Sequence, residues 1–137
     1  MAKRTYLDSG VLLAAFKGGE GVFQCAMQIL DDPDRILLVS DAVWLEIMPK
    51  PLYEKQHEET EFYETVFEKA ERLSWEISTL DRAAEVAKEY GIAAMDAIHI
   101  AYALDAYAAE LVTTEKPGKP MFRIKDVKVC SIRDKLT

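Results

Sequence analysis

The stretch RILLVSDAVWLEIM, residues 35–48, decides the fold class of this chain. RILLVS is a continuous apolar run bounded by polar residues, as is typical of strands buried on both faces of a parallel sheet. DAVWLEIM then has the composition of a helix, which Pro49 and Pro51 end or kink. A buried strand followed directly by a helix predicts an α/β protein.

The alternation of strands and helices continues on both sides of this unit. Upstream, RTYLDSG predicts a strand ending at Asp8, and VLLAAF and VFQCAMQILDD predict helices interrupted by GGEG. Downstream we expect a long helix over residues 52–73, a strand WEIS, and a helix TLDRAAEVAKEYG capped by Thr79 and ended by Gly91. ELVTTE and VKVCSI predict the last strands. The chain is therefore expected to form one α/β domain over residues 1–137, a three-layer sandwich with a central parallel sheet flanked by helices.

Composition and charge narrow the class of protein further. Half of the 137 residues are hydrophobic, and 24 acidic against 17 basic residues give a net charge of −7, which argues against bulk electrostatic binding of nucleic acid. No apolar run suits a membrane span and no signal peptide is evident, so a cytoplasmic protein is expected. Cys25 and Cys130 lie far apart without a CxxC spacing, which favours two small buried thiols over a disulfide or a zinc site.

A single carboxylate interrupts the apolar stretch AAMDAIHIAYAL, residues 93–104. The side chains after Asp96 cover every side of a helix, which predicts a mostly buried helix. A buried carboxylate is costly unless something compensates it. Two interpretations stay open at this point: Asp96 is an N-cap, or it is a cation ligand.

Four acidic residues are expected near one edge of the sheet. Asp8 and Glu115 follow strands, and ligands of open α/β sheets bind outside the carboxyl ends of the strands. Singly, Asp8 suits an Asx-turn, Glu46 a solvent-exposed helix position, Asp96 a cap and Glu115 a loop. Crowded together, carboxylates repel one another unless a cation joins them, and such oxygen ligands suit Mg²⁺ or Mn²⁺.

Four motifs carry a resemblance to a known family. TYLDSGVLLAAF, VWLEIM, MDAIHIAYAL and LVTTE occur in the order and spacing of PIN-domain nucleases, and the chain most resembles the small VapC-type toxins. The resemblance implies a catalytic set of Asp8, Glu46, Asp96, Glu115 and Thr113, in which the four acids are metal ligands. Glu115 departs from the family pattern, which usually has Asp there, and its extra methylene moves the carboxylate outward from the position of the second metal.

The resemblance also implies an activity and partners. It implies a Mg²⁺- or Mn²⁺-dependent endoribonuclease that cleaves RNA to 5′-phosphate and 3′-hydroxyl ends, and that acts as the toxin of a VapBC-type toxin–antitoxin pair. A cognate antitoxin, bound near residues 52–73, and a homodimer are implied in the same way. The alternative is a catalytically weakened PIN-fold module for RNA binding or assembly, which the Glu115 departure supports.

Several other polar residues lie close to these motifs. Ser9 is a weaker candidate for a supporting contact beside Asp8. His99 is expected to be a core histidine rather than a catalytic base, and His57 is expected to face solvent. Five basic residues suit either phosphate binding or simple solvation. They are Lys17, Lys50, Lys116, Lys119 and Arg123.

Overall fold

The computed structural model describes residues 2–133, in which five parallel strands form one sheet. The strands are β1 (Lys3–Leu7), β2 (Arg35–Ser40), β3 (Glu71–Leu73), β4 (Glu110–Thr113) and β5 (Lys128–Ser131). Their spatial order is β3-β2-β1-β4-β5. The expected α/β fold with a central parallel sheet between helices is confirmed.

Helices connect the strands and cover the sheet. Within the described residues they are α1 (Ser9–Lys17), α2 (Val22–Leu30), α3 (Asp41–Ile47), α4 (Pro49–Tyr53), α5 (His57–Lys69), α6 (Ile77–Tyr90) and α7 (Ala94–Asp105), with a short 3₁₀ helix at Pro120–Arg123. α7 is mostly buried, as its apolar sequence predicts, although Met95 remains 40% exposed. Gly91 ends α6 in the left-handed conformation, which confirms its expected role.

The strand order creates a switch point beside β1. The chain passes from β1 outward to β2 and β3 on one side, and β4 and β5 lie on the other side. Leu7 pairs with Val112, so the carboxyl ends of β1 and β4 are adjacent. Open parallel sheets bind their ligands at such a point because the helices that follow the two strands diverge there.

Close packing fixes the start of α1 against the end of β4. A Cβ atom added to Gly10 would collide with Oγ1 of Thr114. A residue without a side chain therefore lets α1 begin directly over this edge. Val11 and Leu12, on the inner face of α1, are completely buried.

The prediction of one long helix over residues 52–73 is wrong. α4 and α5 are separated by a turn in which Lys55 adopts φ +55°, and residues 71–73 form β3 rather than the end of a helix. The prediction of a strand at WEIS is also wrong, because the strand β3 lies a few residues earlier and pairs with β2. The backbone N–H of Trp75 instead donates to Asp41 Oδ2 at 2.9 Å.

Thr79 is not the N-cap of α6, as its sequence position suggested. The helix starts earlier, with Glu76 at the N-cap, and Thr79 donates its hydroxyl to Asp105 Oδ2 at 2.8 Å. Cys25 and Cys130 are both free thiols, but only Cys25 is buried as predicted, since Cys130 is partly exposed. Among residues 2–133, no helix is long and apolar enough to span a membrane.

Candidate functional site

The predicted catalytic residues gather at the carboxyl edge of the sheet. Asp8 directly follows β1, and Thr113 is the last residue of the adjacent strand β4. Glu115 follows two residues later, Glu46 lies in α3 after β2, and Asp96 lies in the first turn of α7. Strands and helices far apart in sequence thus bring five polar side chains to one end of the sheet.

Asp8 is the most deeply buried of the four acids. Its side chain does not cap α1, although Asp8 occupies the N-cap position, so the Asx-turn interpretation does not hold. Only 7% of the residue is exposed, and burial raises the pKa of its carboxyl group to about 6. Hydrogen bonding from Thr113 and the nearby His99 ring offset part of that rise in pKa. Asp8 Oδ1 is buried and has no hydrogen-bond partner among residues 2–133.

Thr113 joins two of the acidic positions. Its hydroxyl donates to Asp8 Oδ2 at 2.5 Å and accepts the backbone N–H of Glu115 at 3.1 Å. The threonine itself is fully buried. It therefore fixes one oxygen of Asp8 and the start of the segment that carries Glu115, and Oδ1 of Asp8 is left as the free acceptor.

Asp96 and Glu115 interact through their charges. Burial and then the charge of Glu115 raise the pKa of Asp96, while His99 and Lys119 lower it. Lys119 forms an ion pair with Glu115, with Nζ 3.7 Å from Oε2. Ala93 is the N-cap of α7, so Asp96 is not a cap and its carboxylate is available to a ligand.

Glu46 has a half-exposed carboxylate held by a buried histidine. His99 Nε2 lies 2.7 Å from Glu46 Oε1, and His99 is only 3% exposed. The charge of Glu46 raises the pKa of both Asp8 and Asp96, which places all three groups within electrostatic reach of one another. His99 is thus a buried core residue, as expected, but it also contacts a candidate ligand.

The chemistry of this edge fits a divalent cation, whereas its present arrangement is not a complete coordination shell. An unpartnered buried carboxylate oxygen, such as Asp8 Oδ1, is costly and would be compensated by a cation. Hard oxygen donors of this kind suit Mg²⁺ or Mn²⁺. In the described part of the chain, however, no three acidic, histidine or cysteine side chains converge closely enough to hold a metal ion. Binding would therefore bring these carboxylates closer together than they lie in the structure.

The basic residues near the motifs are used in different ways. Lys119 lies beside the acids, while Lys17 pairs with Glu59 at 3.6 Å and Arg123 donates to the carbonyl of Tyr90 at 3.4 Å. A groove of about 800 Å³ is found at the other end of α7, around the ion pair of Arg82 with Asp105. That groove lies away from the acids and takes no part in this site.

Sequence reasoning missed two residues that support the site. Tyr6 and Ser40 are fully buried, and the Tyr6 hydroxyl lies 2.7 Å from Ser40 Oγ and 2.8 Å from His99 Nδ1. A signal was available, because Tyr6 is two residues before Asp8 in β1 and alternation places both side chains on one face. Ser40 ends the neighbouring strand, so it was also a foreseeable contact.

The topology is that of an open parallel α/β sheet with its acidic edge at the switch point, where proteins of this class bind their ligands. Within that class, the sequence profile of the PIN domain matches residues 5–116 of this chain. Because the match spans well over half of the residues, the chain belongs to the PIN domain family. The resemblance inferred from the sequence motifs is thereby confirmed.

Two solved structures are similar to this chain in fold. A chain in the crystal structure of VapBC2 from Rickettsia felis, bound to a DNA fragment from their promoter, matches with a TM-score of 0.70 and 14% identity, covering 93% of this chain and 98% of its own. A chain of a toxin–antitoxin complex from Klebsiella pneumoniae matches with a TM-score of 0.64 and 18% identity, covering 90% and 98%. Comparison with curated proteins finds no match.

Proposed function

We propose that this PIN-domain chain is a Mg²⁺- or Mn²⁺-dependent endoribonuclease and the toxin of a VapBC-type pair. The observation that carries the proposal is Asp8, a buried carboxylate with a raised pKa and an unpartnered oxygen, among three further carboxylates. Folding tolerates such a costly arrangement at functional sites far more often than elsewhere. A cation at this edge would offset both the cost of burying the Asp8 carboxylate and the repulsion among the four carboxylates.

Each residue of the set has a distinct role in the proposed reaction. Asp8 and Asp96 would hold the cation directly, and Glu46 would hold it directly or through water. Glu115 would orient the attacking water, and the buried Thr113 hydroxyl would hold Asp8 Oδ2 in place. When bound, Mg²⁺ or Mn²⁺ offsets the charge of the scissile phosphate and makes water more acidic. Lys119, which already lies against Glu115, is placed to contact a flanking phosphate.

Exposed apolar side chains beside the acids support a protein partner. Leu45, Trp75 and Met95 are 69%, 47% and 40% exposed and line a groove of about 430 Å³ with Trp44 and Ile98. Apolar surfaces of this kind mark interaction sites. We infer that the chain acts in the cytoplasm and associates with a cognate antitoxin and with a second copy of itself. Light scattering of the purified protein measures the second association.

Cleavage of a labelled single-stranded RNA tests the enzymatic proposal. We expect the wild type to cut in Mn²⁺ and not in EDTA, leaving 5′-phosphate ends. Asp8→Asn and Asp96→Asn are expected to lose at least a hundredfold in rate, whereas Asp81→Asn, on an exposed face of α6, retains it. Equal cleavage by wild type and both site variants would indicate a contaminating nuclease and remove the enzymatic claim.

A second function is favoured by a specific observation. The acids of the described residues do not form a ready coordination shell, and Glu115, at the position where the family usually has Asp, is paired with Lys119. These features suit a PIN-fold module that binds RNA or assembles with partners without cutting. RNA binding with no cation-dependent cleavage by the wild type in the same assay would establish this alternative.

A further inference from the structure

A continuous hydrogen-bond network connects two residues of α3, Val43 and Glu46, through β2, β1 and α7. The backbone N–H of Val43 donates to Ser40 Oγ at 3.2 Å, and that oxygen lies 2.7 Å from the Tyr6 hydroxyl. The same hydroxyl is 2.8 Å from His99 Nδ1, and His99 Nε2 is 2.7 Å from Glu46 Oε1. This hydrogen-bond network thus ends at Glu46, a candidate cation ligand.

The three central residues of this hydrogen-bond network are protected from water. Ser40 and Tyr6 are fully buried, and His99 is 3% exposed. Hydrogen bonds in such surroundings are strong and reinforce one another, and any partner lost leaves a costly buried group. By contrast, 31% of the Glu46 side chain is exposed. A buried, fully paired network therefore holds a partly exposed carboxylate at the edge of the site.

The donors and acceptors have a single order when Glu46 is ionised and the His99 ring is neutral. A carboxylate only accepts, so His99 donates from Nε2 and a neutral ring accepts at Nδ1. The Tyr6 hydroxyl then donates to Nδ1 and accepts from the Ser40 hydroxyl. Ser40 Oγ in turn accepts from the backbone of α3. Every group is satisfied, and the imidazole is fixed with its proton on Nε2.

We propose that Ser40, Tyr6 and His99 are positioning residues that pre-orient the Glu46 carboxylate for the divalent cation. The inference rests on the proposed function. A glutamate side chain loses considerable rotamer freedom when it is fixed, and a glutamate already held by Nε2 loses less on binding. Because Tyr6 lies in β1 two residues before Asp8, the network also ties Glu46 to the strand that presents the deepest acid.

Tyr6→Phe is the sharpest probe because it removes one atom two hydrogen bonds away from Glu46. Tyr102→Phe is its matched control. The Tyr102 ring stacks on that of Tyr6, with the ring centroids 6.2 Å apart. The buried hydroxyl of Tyr102 has no hydrogen-bond partner in the described residues. We expect Tyr6→Phe to weaken Mn²⁺ binding about tenfold in an electron paramagnetic resonance titration, as loss of an outer-shell contact typically does. Tyr102→Phe is expected to bind as the wild type does.

Nitrogen NMR of the imidazole rings provides a test that needs no substitution in the network. The chain has two histidines, so a His57→Gln background leaves only the His99 signals. At an alkaline pH, where an ordinary histidine is neutral, we expect the His99 proton on Nε2. A proton on Nδ1 would contradict the inferred direction of the hydrogen bonds and overturn the proposal, even if a variant failed to fold.

Asp8→Asn separates failure of this inference from failure of the proposed function. If Asp8→Asn abolishes Mn²⁺ binding while Tyr6→Phe binds normally, the positioning role is wrong and the cation site stands. If the wild type itself binds no Mn²⁺, the proposed function fails and the inference fails with it. Weakening by Tyr6→Phe and Tyr102→Phe alike would indicate a packing effect and would also overturn the positioning role.

Discussion

Asp8 combines two features that seldom occur together in a residue with a purely structural role. One oxygen accepts a hydrogen bond from Thr113, while the other is buried without a partner among residues 2–133. The burial raises the pKa of the carboxyl group from 3.8 to about 6. A group whose pKa is higher in the folded state than in the unfolded chain favours folding when protonated and opposes it when ionised. At neutral pH, Asp8 therefore destabilises the cation-free protein.

Asp8→Asn is expected to stabilise the protein in EDTA. The raised pKa corresponds to a gain of about 3 kcal/mol in the free energy of unfolding at pH 7.5, since the amide carries no charge. The gain should shrink as the pH falls below 6 and vanish below the unfolded pKa of 3.8, where Asp8 of the wild type is neutral in both states. Urea unfolding over this pH range measures it. A variant no more stable than wild type at pH 7.5, with exposed Asp81→Asn as the control, would contradict the assigned burial cost.

At the scale of elements, strands and helices with clear patterns were predictable and boundaries set by tertiary contacts were not. β2 and α7 followed from their apolar sequences alone, and Gly91 ended α6 as expected. Residues 52–73 carry a helical pattern throughout, yet the chain turns at Lys55 and leaves the helix to pair β3 with β2. The stabilisation from pairing β3 with β2 comes from residues distant in sequence, which the local pattern of apolar residues does not reflect. That pattern therefore predicted one helix where the structure has two.

The same reason explains what was missed at the site. The four acids could be placed near one edge because alternation of strands and helices predicts parallel strands, whose carboxyl ends lie at the same edge of the sheet. The network of Ser40, Tyr6 and His99 depends on which side chains meet across the packed elements. The sequence predicts a buried His99, but only the packing of the elements shows that its ring nitrogens contact Tyr6 and Glu46.

Lys55→Gly tests the turn between α4 and α5. A lysine at φ +55° pays a steric cost that glycine avoids, so the substitution should stabilise the protein by up to about 1 kcal/mol. Glu64→Gly, at an exposed position inside α5, is the control and should cost about 1 kcal/mol. Thermal unfolding compares the two. Equal destabilisation by both would mean that residue 55 is helical and that α4 and α5 are continuous.

At the scale of the whole molecule, the sheet brings together residues that are far apart in sequence. Asp8 and Thr113 are 105 positions apart and share a hydrogen bond. The PIN profile ends at residue 116, but β5 lies beyond it, pairs with β4 and supports the acidic edge. Ser131 Oγ donates to the carbonyl of Glu115 at 2.5 Å. The expectation that residues 1–137 form one domain stays a prediction.

Crystals of the protein soaked in Mn²⁺, with diffraction recorded to show anomalous scattering, test the cation site most directly. We predict a manganese peak bonded to Asp8 Oδ1, with Asp96 in the same coordination shell and Glu46 bound directly or through water, and no such peak for Asp8→Asn. Wild-type crystals with no manganese at Asp8, or with manganese bound only at other carboxylates, would contradict the claim that these acids share a catalytic cation.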